Sequence, residues 1–421
     1  MPNRRDTLQV VLYTHTFLPQ IGGRELVVHQ LALALQQLGV AVRVVGPTGL
    51  RRARHLVLPY PVQRWPTLLR SGIDPTSLRG RLRAWEMALQ LRLELALRGA
   101  DLIHAHTSWP NGWIASQLRY HTLRRVITPH GIDIHTIPQL QHGWRLQPRI
   151  ASRIRSALQR ADAVTAISDS IATAALAAGA DPARLHRIDN GVDLTRFATV
   201  TLSHAQLCYH FGLPTDSRLL VSVGNYHQRK GFETLLRAMV PLCCAEPRLQ
   251  LVLVGKGHEQ LRPLLQHFAL SQRVRLTGVL PPPLTAQADD RPDWLAALLQ
   301  HAIGYVSAAT EEGAEGLSLA LLEALAAATP VVATAISGSR ELIQPYRNGL
   351  LVAANESAAL TSALLTLLRL SPSQHQQWRQ QARATVHSHS WRRVASRYLA
   401  LYQQLLAAPP VAGTTPTAAV R

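Results

Sequence analysis

Cysteine is nearly absent: Cys208, Cys243 and Cys244 are the only three in 421 residues. Three thiols cannot build a disulfide framework and their spacing fits no metal-ligand pattern, so a reducing compartment is expected. Lysine is scarcer still. Of 44 cationic residues only Lys230 and Lys256 are lysines, which makes the chain arginine-rich throughout. Aromatic residues make up 5%, and no apolar run reaches bilayer-spanning length, because the longest are broken by Glu323, Pro330 or arginines. The opening MPNRRDTLQVVLYTH passes directly from charge into a strand-like run, leaving no room for a signal peptide. No aspartate-rich metal motif stands out. The expectation is a cytoplasmic protein with no metal and no cofactor.

What is present is a globular composition, 47% hydrophobic and 16% charged. A chain of this length exceeds one core and suits two domains of about 200 residues each. The 44 cations outnumber 25 acids, for a net charge of +19, and most of the excess falls in residues 1–200. Between Arg51 and Arg83 eight arginines and a single acid, Asp74, alternate with Leu56, Leu58, Trp65, Leu68, Leu69, Ile73, Leu78 and Leu82. Such a mixture suits an anionic lipid surface, which implies peripheral membrane contact through the first domain. Nucleic acid is not an expected partner, since neither a binding motif nor a stacking array accompanies the charge.

Strand-like and helix-like patterns alternate along both halves. LQVVLYTH and VAVRVVGP read as buried strands around a helix from Arg24 to Leu38; RLLVSVG, LQLVLVG and RVRLTGVL alternate with GFETLLRAMVPLC and HEQLRPLLQHFA. Alternation of this kind predicts an α/β fold of parallel sheets flanked by helices. The domains are placed at 1–200 and 201–389, with the patternless boundary near 198–214. SWRRVASRYLALYQQLL reads as an amphipathic helix over about 390–406, and 407–421 as a disordered tail.

The organising stretch is Ala308–Leu342. Glu315 and Gly316 precede an apolar pattern of helical period, Leu317, Leu321, Leu322 and Leu325, with Ser318 as a candidate N-cap hydroxyl. A helix starting there points free N–H groups and a partial positive charge at whatever lies before it, which suits a diphosphate. Glu323 falls roughly 7 to 8 Å along that helix from Ser318, about the reach from a pyrophosphate to its ribose, and a carboxylate accepts both hydroxyls of a diol. Three further segments could meet a ligand. Gly22 and Gly23 in Pro19-Gln20-Ile21-Gly22-Gly23-Arg24-Glu25 follow a strand, either as a common turn or as a close approach to phosphate. His104, His106 and His130 lie at or beyond strand ends, where an open parallel sheet keeps its crevice. Gly224, Arg229 and Lys230 lie in the loop Gly224–Gly231, which joins a strand to a helix.

Taken together these residues resemble the retaining glycosyltransferases of family four. Glu315 and Glu323 match the family's Glu-x7-Glu signature, with EGLS here in place of the usual EGFG, so Ser318 replaces a glycine. Glu311 and Glu312 also precede the helix, but only Glu315 has the family spacing. The Pro-x-x-Gly-Gly-x-Glu segment, the D-x-x-H-x-H strand end, His130, the Asn190-Gly191-Val192-Asp193 turn with Phe197, and the Arg229-Lys230-Gly231 loop follow in family order over about residues 8–405. The resemblance implies a GT-B fold, two Rossmann-like domains with a cleft between them, acceptor mostly on the first and donor mostly on the second. The final helix would pack back on the first domain. It implies transfer of a sugar, with retention, from a nucleotide-diphospho-sugar to a glycan or lipid-linked acceptor. His130, Arg229, Lys230 and Glu315 would be catalytic. Gly22, Gly23, Gly224, Gly316, Leu317, Ser318 and Glu323 would hold the donor. A sugar-nucleotide epimerase, a phosphorylase, and an inactive scaffold on the same architecture remain as alternatives. The Pro-rich, acidic loop 281–293 is longer than the family's and either shapes acceptor access or is disordered.

Overall fold

A computed structural model describes residues 7–47, 57–65, 77–118, 120, 122–199, 201–284 and 292–408. The first sheet contains β1 (Gln9–Tyr13), β2 (Ala41–Pro47), β3 (Val62–Trp65), β4 (Leu102–Ala105), β5 (Arg124–Ile127), β6 (Ala163–Ala166) and β7 (Leu185–Arg187). The second contains β8 (Arg218–Val223), β9 (Leu249–Val254), β10 (Val274–Gly278), β11 (Gly304–Ser307), β12 (Val331–Thr334) and β13 (Gly349–Val352). Every pairing is parallel, in the orders β3-β2-β1-β4-β5-β6-β7 and β10-β9-β8-β11-β12-β13. Strands covered on both faces read as continuous apolar runs, as LQLVLV of β9 does with every residue buried.

Helices of the first domain are α1 (Gly23–Gln37), α2 (Leu78–Arg98), α3 (Trp113–Ser116), α4 (Pro148–Arg160) and α5 (Asp169–Ala177). The second has α6 (His204–Phe211), α7 (Phe232–Ala245), α8 (Arg262–His267), α9 (Trp294–His301), α10 (Leu319–Ala326), α11 (Ser337–Leu342), α12 (Ser357–Leu368) and α13 (Pro372–Thr385). The last helix, α14 (Trp391–Ala407), sends Trp391, Val394, Tyr398 and Tyr402 into the core formed by α1 and the first sheet. Val192 N–H donates to the His389 carbonyl at 2.7 Å, so the outgoing and returning connections lie side by side.

The structure adds detail to three sequence readings. The boundary segment 198–214 contains α6, which starts at a capping box: Ser203 accepts from Gln206 N–H, and the Gln206 side chain accepts from Ser203 N–H. Leu207, Cys208 and Phe211 then anchor it in the second domain's core. Within Arg51–Arg83, the described part is no uniform basic surface. Arg83 is buried and pairs with Glu86 at 2.7 Å, and Arg64 donates to the Leu18 carbonyl at 3.2 Å. The rest of that stretch, residues 51–56 and 66–76, lies outside the described residues, as do loop residues 285–291 and tail residues 409–421. The third concerns Ser318, which occupies the N-cap position of α10 without making a side-chain cap hydrogen bond.

Candidate active site

Each sheet has one point where the strand order reverses, between β1 and β4 in the first and between β8 and β11 in the second. In such sheets the ligand crevice lies outside the carboxyl ends at that reversal. The loop leaving β1 leads to Gly22 and Gly23; the loop leaving β8 runs from Gly224 to Gly231; the loop leaving β11 carries Glu315 to Ser318. All three therefore open towards one cleft. Loops from the two domains touch across it: Ile137 clusters with Ala309, Ala314 and Ile336, and the His142 and His227 rings meet edge to face at 5.4 Å.

On the second-domain wall, Lys230 Nζ donates to Glu315 Oε1, and Arg229 donates to the Ala314 carbonyl. The Arg229 carbonyl in turn accepts from Thr310 N–H at 3.0 Å, which fastens the β8 loop to the β11 loop. Gly231 makes this approach possible: its φ is +66°, and a Cβ there would sit 1.8 Å from the Ala308 carbonyl oxygen. Gly224 lies beside the ammonium, where an added Cβ would be 3.4 Å from Lys230 Nζ. Burial, then the Arg229 charge, pushes Lys230 down to about 7. Burial also lowers Arg229, whose Nε has no hydrogen-bond partner among the described residues.

Glu315, Gly316 and Ser318 line a small recess together with Ser307, Ser337 and Ser339. Because Ser318 leaves the first-turn amides of α10 uncapped, these N–H groups remain for a ligand. Leu317 points away: it is buried in the core, and its carbonyl accepts from Asn190 Nδ2 at 2.9 Å. Gly316 meets Ile171 and Ile167 of the other domain. Glu312 holds the loop itself, accepting from Ser337 N–H at 2.9 Å and pairing with Arg340.

Glu323 is already engaged. Its Oε1 accepts from Arg196 Nη1 at 2.7 Å, and the same guanidinium grips Asp293 at 2.5 and 3.0 Å. Burial raises the Glu323 carboxyl against the pull of Arg196. This triad was not visible in the sequence, and it brings an end of the loop 281–293 to α10. The other end of that loop reaches α1, where the Leu284 carbonyl lies 3.1 Å from His29 Nε2.

The first-domain wall is a row of imidazoles. His104 is structural, held between Thr128 Oγ1 at 2.6 Å and the Tyr402 hydroxyl at 2.7 Å. His106 stacks on His130, with Nδ1 of one 3.1 Å from Nε2 of the other. Burial first, then neighbouring positive groups, holds His130 well below the usual histidine range and His106 at about 3. Both are neutral at physiological pH, so they act as hydrogen-bonding groups and not as charges. Asp133 orders the turn that presents His130, accepting from His130 N–H at 2.9 Å and Ser108 N–H at 2.6 Å. His15, bonded to Asn111 at 2.7 Å, joins this row without having been singled out in the sequence; its position two residues after β1 was the available signal. Gly22 is the N-cap of α1 and Gly23 its first residue, with open space where a Gly23 Cβ would project. Buried Glu25 accepts from Thr16 and Arg24 and fixes that turn. Among the described residues no three His, Cys, Asp or Glu side chains gather as a metal site would require.

The sequence model described as Glycosyltransferase Family 4 matches residues 21–196, and that described as Glycosyl transferases group 1 matches 217–370. D-inositol 3-phosphate glycosyltransferase 2 of Catenulispora acidiphila is 27% identical over 369 residues, 82% of each chain. Phosphatidyl-myo-inositol mannosyltransferase of Mycobacterium leprae is 33% identical over 51% of this chain and 52% of that one. The alignment with WcaL of Salmonella typhimurium, at 28% identity, covers 64% of this chain and 62% of that protein. Among solved structures, sucrose-phosphate synthase of Thermosynechococcus elongatus superposes with a TM-score of 0.75 at 24% identity, over 95% and 99% of the two chains. HepE of Anabaena, solved with UDP, gives 0.74 at 19% identity over 94% and 100%. With a parallel sheet in each half and family matches over both, the chain belongs to the family-four, group 1 glycosyltransferases of GT-B fold.

Proposed function

We propose that this glycosyltransferase moves a hexosyl unit from a nucleoside-diphosphate sugar to an acceptor hydroxyl, with retention at the anomeric carbon. The observation that carries the reading is the contact of Lys230 with Glu315 beside Arg229 and the uncapped start of α10. Two cations and a helix N-terminus converging on one cleft are what a departing diphosphate needs. In this reading the diphosphate draws the Lys230 ammonium away from Glu315, and the freed carboxylate turns to the sugar. The C1–O bond breaks with its electron pair passing to the diphosphate, whose added charge Arg229, Lys230 and the α10 amides neutralise. The acceptor oxygen bonds to C1 on the same face, and its proton goes to a phosphate oxygen of the leaving group. His130, neutral and half-buried, serves as a hydrogen-bonding partner of the sugar from the opposite wall. Glu323 takes a ribose hydroxyl while Arg196 keeps its place.

HepE was solved with UDP and UDP-glucose, and the inositol-directed relatives carry polar or lipid-linked acceptors in their names. The test therefore starts with UDP-, GDP- and ADP-sugars against inositol phosphates and lipid-linked glycans, with product configuration read by NMR. An α-linked product from an α-configured donor, formed only with acceptor present, supports the reading. Conversion of the donor without acceptor points to an epimerase, and a requirement for inorganic phosphate points to a phosphorylase.

A further inference from the structure

Helix α2 is apolar on two sides. Its inner arc, Ala84, Met87, Leu91 and Leu95, is buried in the first domain. The outer arc carries Leu78, Leu82, Trp85, Leu89, Leu93 and Leu97, each between 41% and 70% exposed. At 3.6 residues per turn these six fall in one stripe about 120° wide and roughly 28 Å long. Isolated exposed leucines are ordinary, but six on one helix face form a continuous patch. Of the 15 exposed large apolar side chains among the described residues, those six belong to this helix, so the patch is not a sampling of general surface apolarity.

The rim of the stripe is cationic. Arg79, Arg81 and Arg92 are exposed along it. The acids of α2 are turned to other work: Glu94 is buried with Arg43 at 2.9 Å, and Glu86 holds Arg83. Positive charge continues onto α4, where Arg153 stacks over Trp113 at 4.8 Å. Burial, then Arg149 and Arg81, lowers the Arg153 guanidinium, so these cations share one region of surface.

We propose that the outer face of α2 seats the protein on an anionic lipid surface, with the leucines and Trp85 in the headgroup boundary and Arg79, Arg81 and Arg92 on lipid phosphates. Charge chooses this occupant over a second copy of the chain. Two α2 faces packed together would set an arginine rim against an arginine rim, whereas anionic headgroups supply the missing countercharge. A helix with an apolar stripe, a basic rim and a tryptophan near its middle lies in the interface plane. Nothing in the seating requires a spanning segment, and among the described residues no helix is long and apolar enough to be one. The inner arc stays in the core throughout, so docking costs no unfolding. Seated this way, the first domain meets lipid directly, which would suit an acceptor held at a membrane. The inference does not depend on the donor chemistry, because binding is read without substrate.

Vesicle flotation of the full chain tests it, with phosphatidylcholine alone and with added phosphatidylglycerol. Binding is expected on the mixed vesicles and should weaken with salt. A Trp85→Glu, Leu89→Glu variant should lose about tenfold or more in partitioning. Replacing Arg79, Arg81 and Arg92 by Gln should cost about fivefold per charge. Since all five side chains are exposed, melting temperatures should equal the parent's; if the glutamate variant melts early, the arginine variant decides. Failure of the parent to bind, equal binding to neutral vesicles, or full binding by both variants would overturn the proposal. So would a parent dimer that Trp85→Glu splits while vesicles go unbound, which would assign the face to a second copy.

Discussion

Lys230 and Glu315 stand 85 residues apart in sequence and meet at the mouth of the second sheet, ammonium on carboxylate. Each belongs to a loop leaving one of the two central strands at the reversal of strand order, so the topology itself brings them together. Below about pH 7, where Lys230 is charged, the pair keeps both charges compensated while the cleft is empty. A diphosphate would exchange one partner of Lys230 for another without leaving the cation uncovered.

Nucleotide affinity should consequently depend on pH. With Lys230 down at about 7 in the empty site, a bound diphosphate that stabilises its ammonium raises that value. Below about pH 7 the charged form is already present and affinity is level. Above it, binding requires proton uptake, and affinity should fall by up to about tenfold per pH unit until the bound-state value is reached. Calorimetry in buffers of different ionisation enthalpy, near pH 8, would register the uptake; a flat profile from pH 6.5 to 8.5 would count against the Lys230 contact.

Glu323 invites a different experiment, because Arg196 already uses one of its oxygens. Glu323→Ala would leave a buried guanidinium with Asp293 as its remaining carboxylate partner, so stability and binding would fall together. Glu323→Gln keeps the shape and an acceptor. It should weaken nucleoside diphosphate binding by roughly 1.5 to 3 kcal/mol, the scale for a hydrogen bond to a charged group, with a smaller drop in melting temperature than the alanine variant. Unchanged affinity in the folded glutamine variant would remove Glu323 from the ribose site.

The imidazole row makes a prediction about stability. Burial holds His104 well below the ordinary histidine value and His106 at about 3, with His130 and His15 also depressed. Unfolding restores values near 6.5, so the unfolded chain binds more protons below that pH. Stability is therefore fully present above about pH 6.5 and is lost as pH falls towards the folded-state values. For the fully buried His104 and His106 the slope is up to about 1.4 kcal/mol per pH unit each. Urea unfolding at pH 7 and pH 5 would measure the loss, and His106→Gln should remove close to one histidine's share.

The parallel sheets were legible because both-face burial leaves uninterrupted apolar runs such as β9, and the loops carrying Lys230 and Glu315 were legible because they follow such runs. Helix α2 was not. Leucine on both of its faces erases the one-sided period that marks an amphipathic helix, and its arginines suggested surface where Arg83 is buried. Helix α6 was announced by Ser203 and Gln206, a signal passed over because no long apolar pattern followed. The Arg196 triad joins residues 97 and 127 positions apart, and no local pattern encodes such a meeting. Ser318 has the right residue type and position for a cap yet makes no cap bond, which local propensity alone could not foresee.

A double-mutant cycle on Lys230 and Glu315 separates transition-state work from simple pairing. Lys230→Ala removes a cation that would gain strength in a closed cleft as the leaving diphosphate takes on charge. Turnover should fall by roughly 10²- to 10³-fold, the scale for loss of one oxyanion-type donor, with nucleotide binding reduced less. Glu315→Gln leaves Lys230 without its carboxylate in the empty site. That should make the ammonium more available to the diphosphate, tightening nucleotide binding, while turnover drops because the carboxylate is missing from the sugar. If the two side chains served only each other, the double variant would be no worse than either single one, and both singles would act mainly on melting temperature. If both act on the donor, the double variant should be slower than each single variant at near-parental stability. Turnover within about threefold of the parent for Lys230→Ala, measured with the identified donor and acceptor, would contradict the assignment outright.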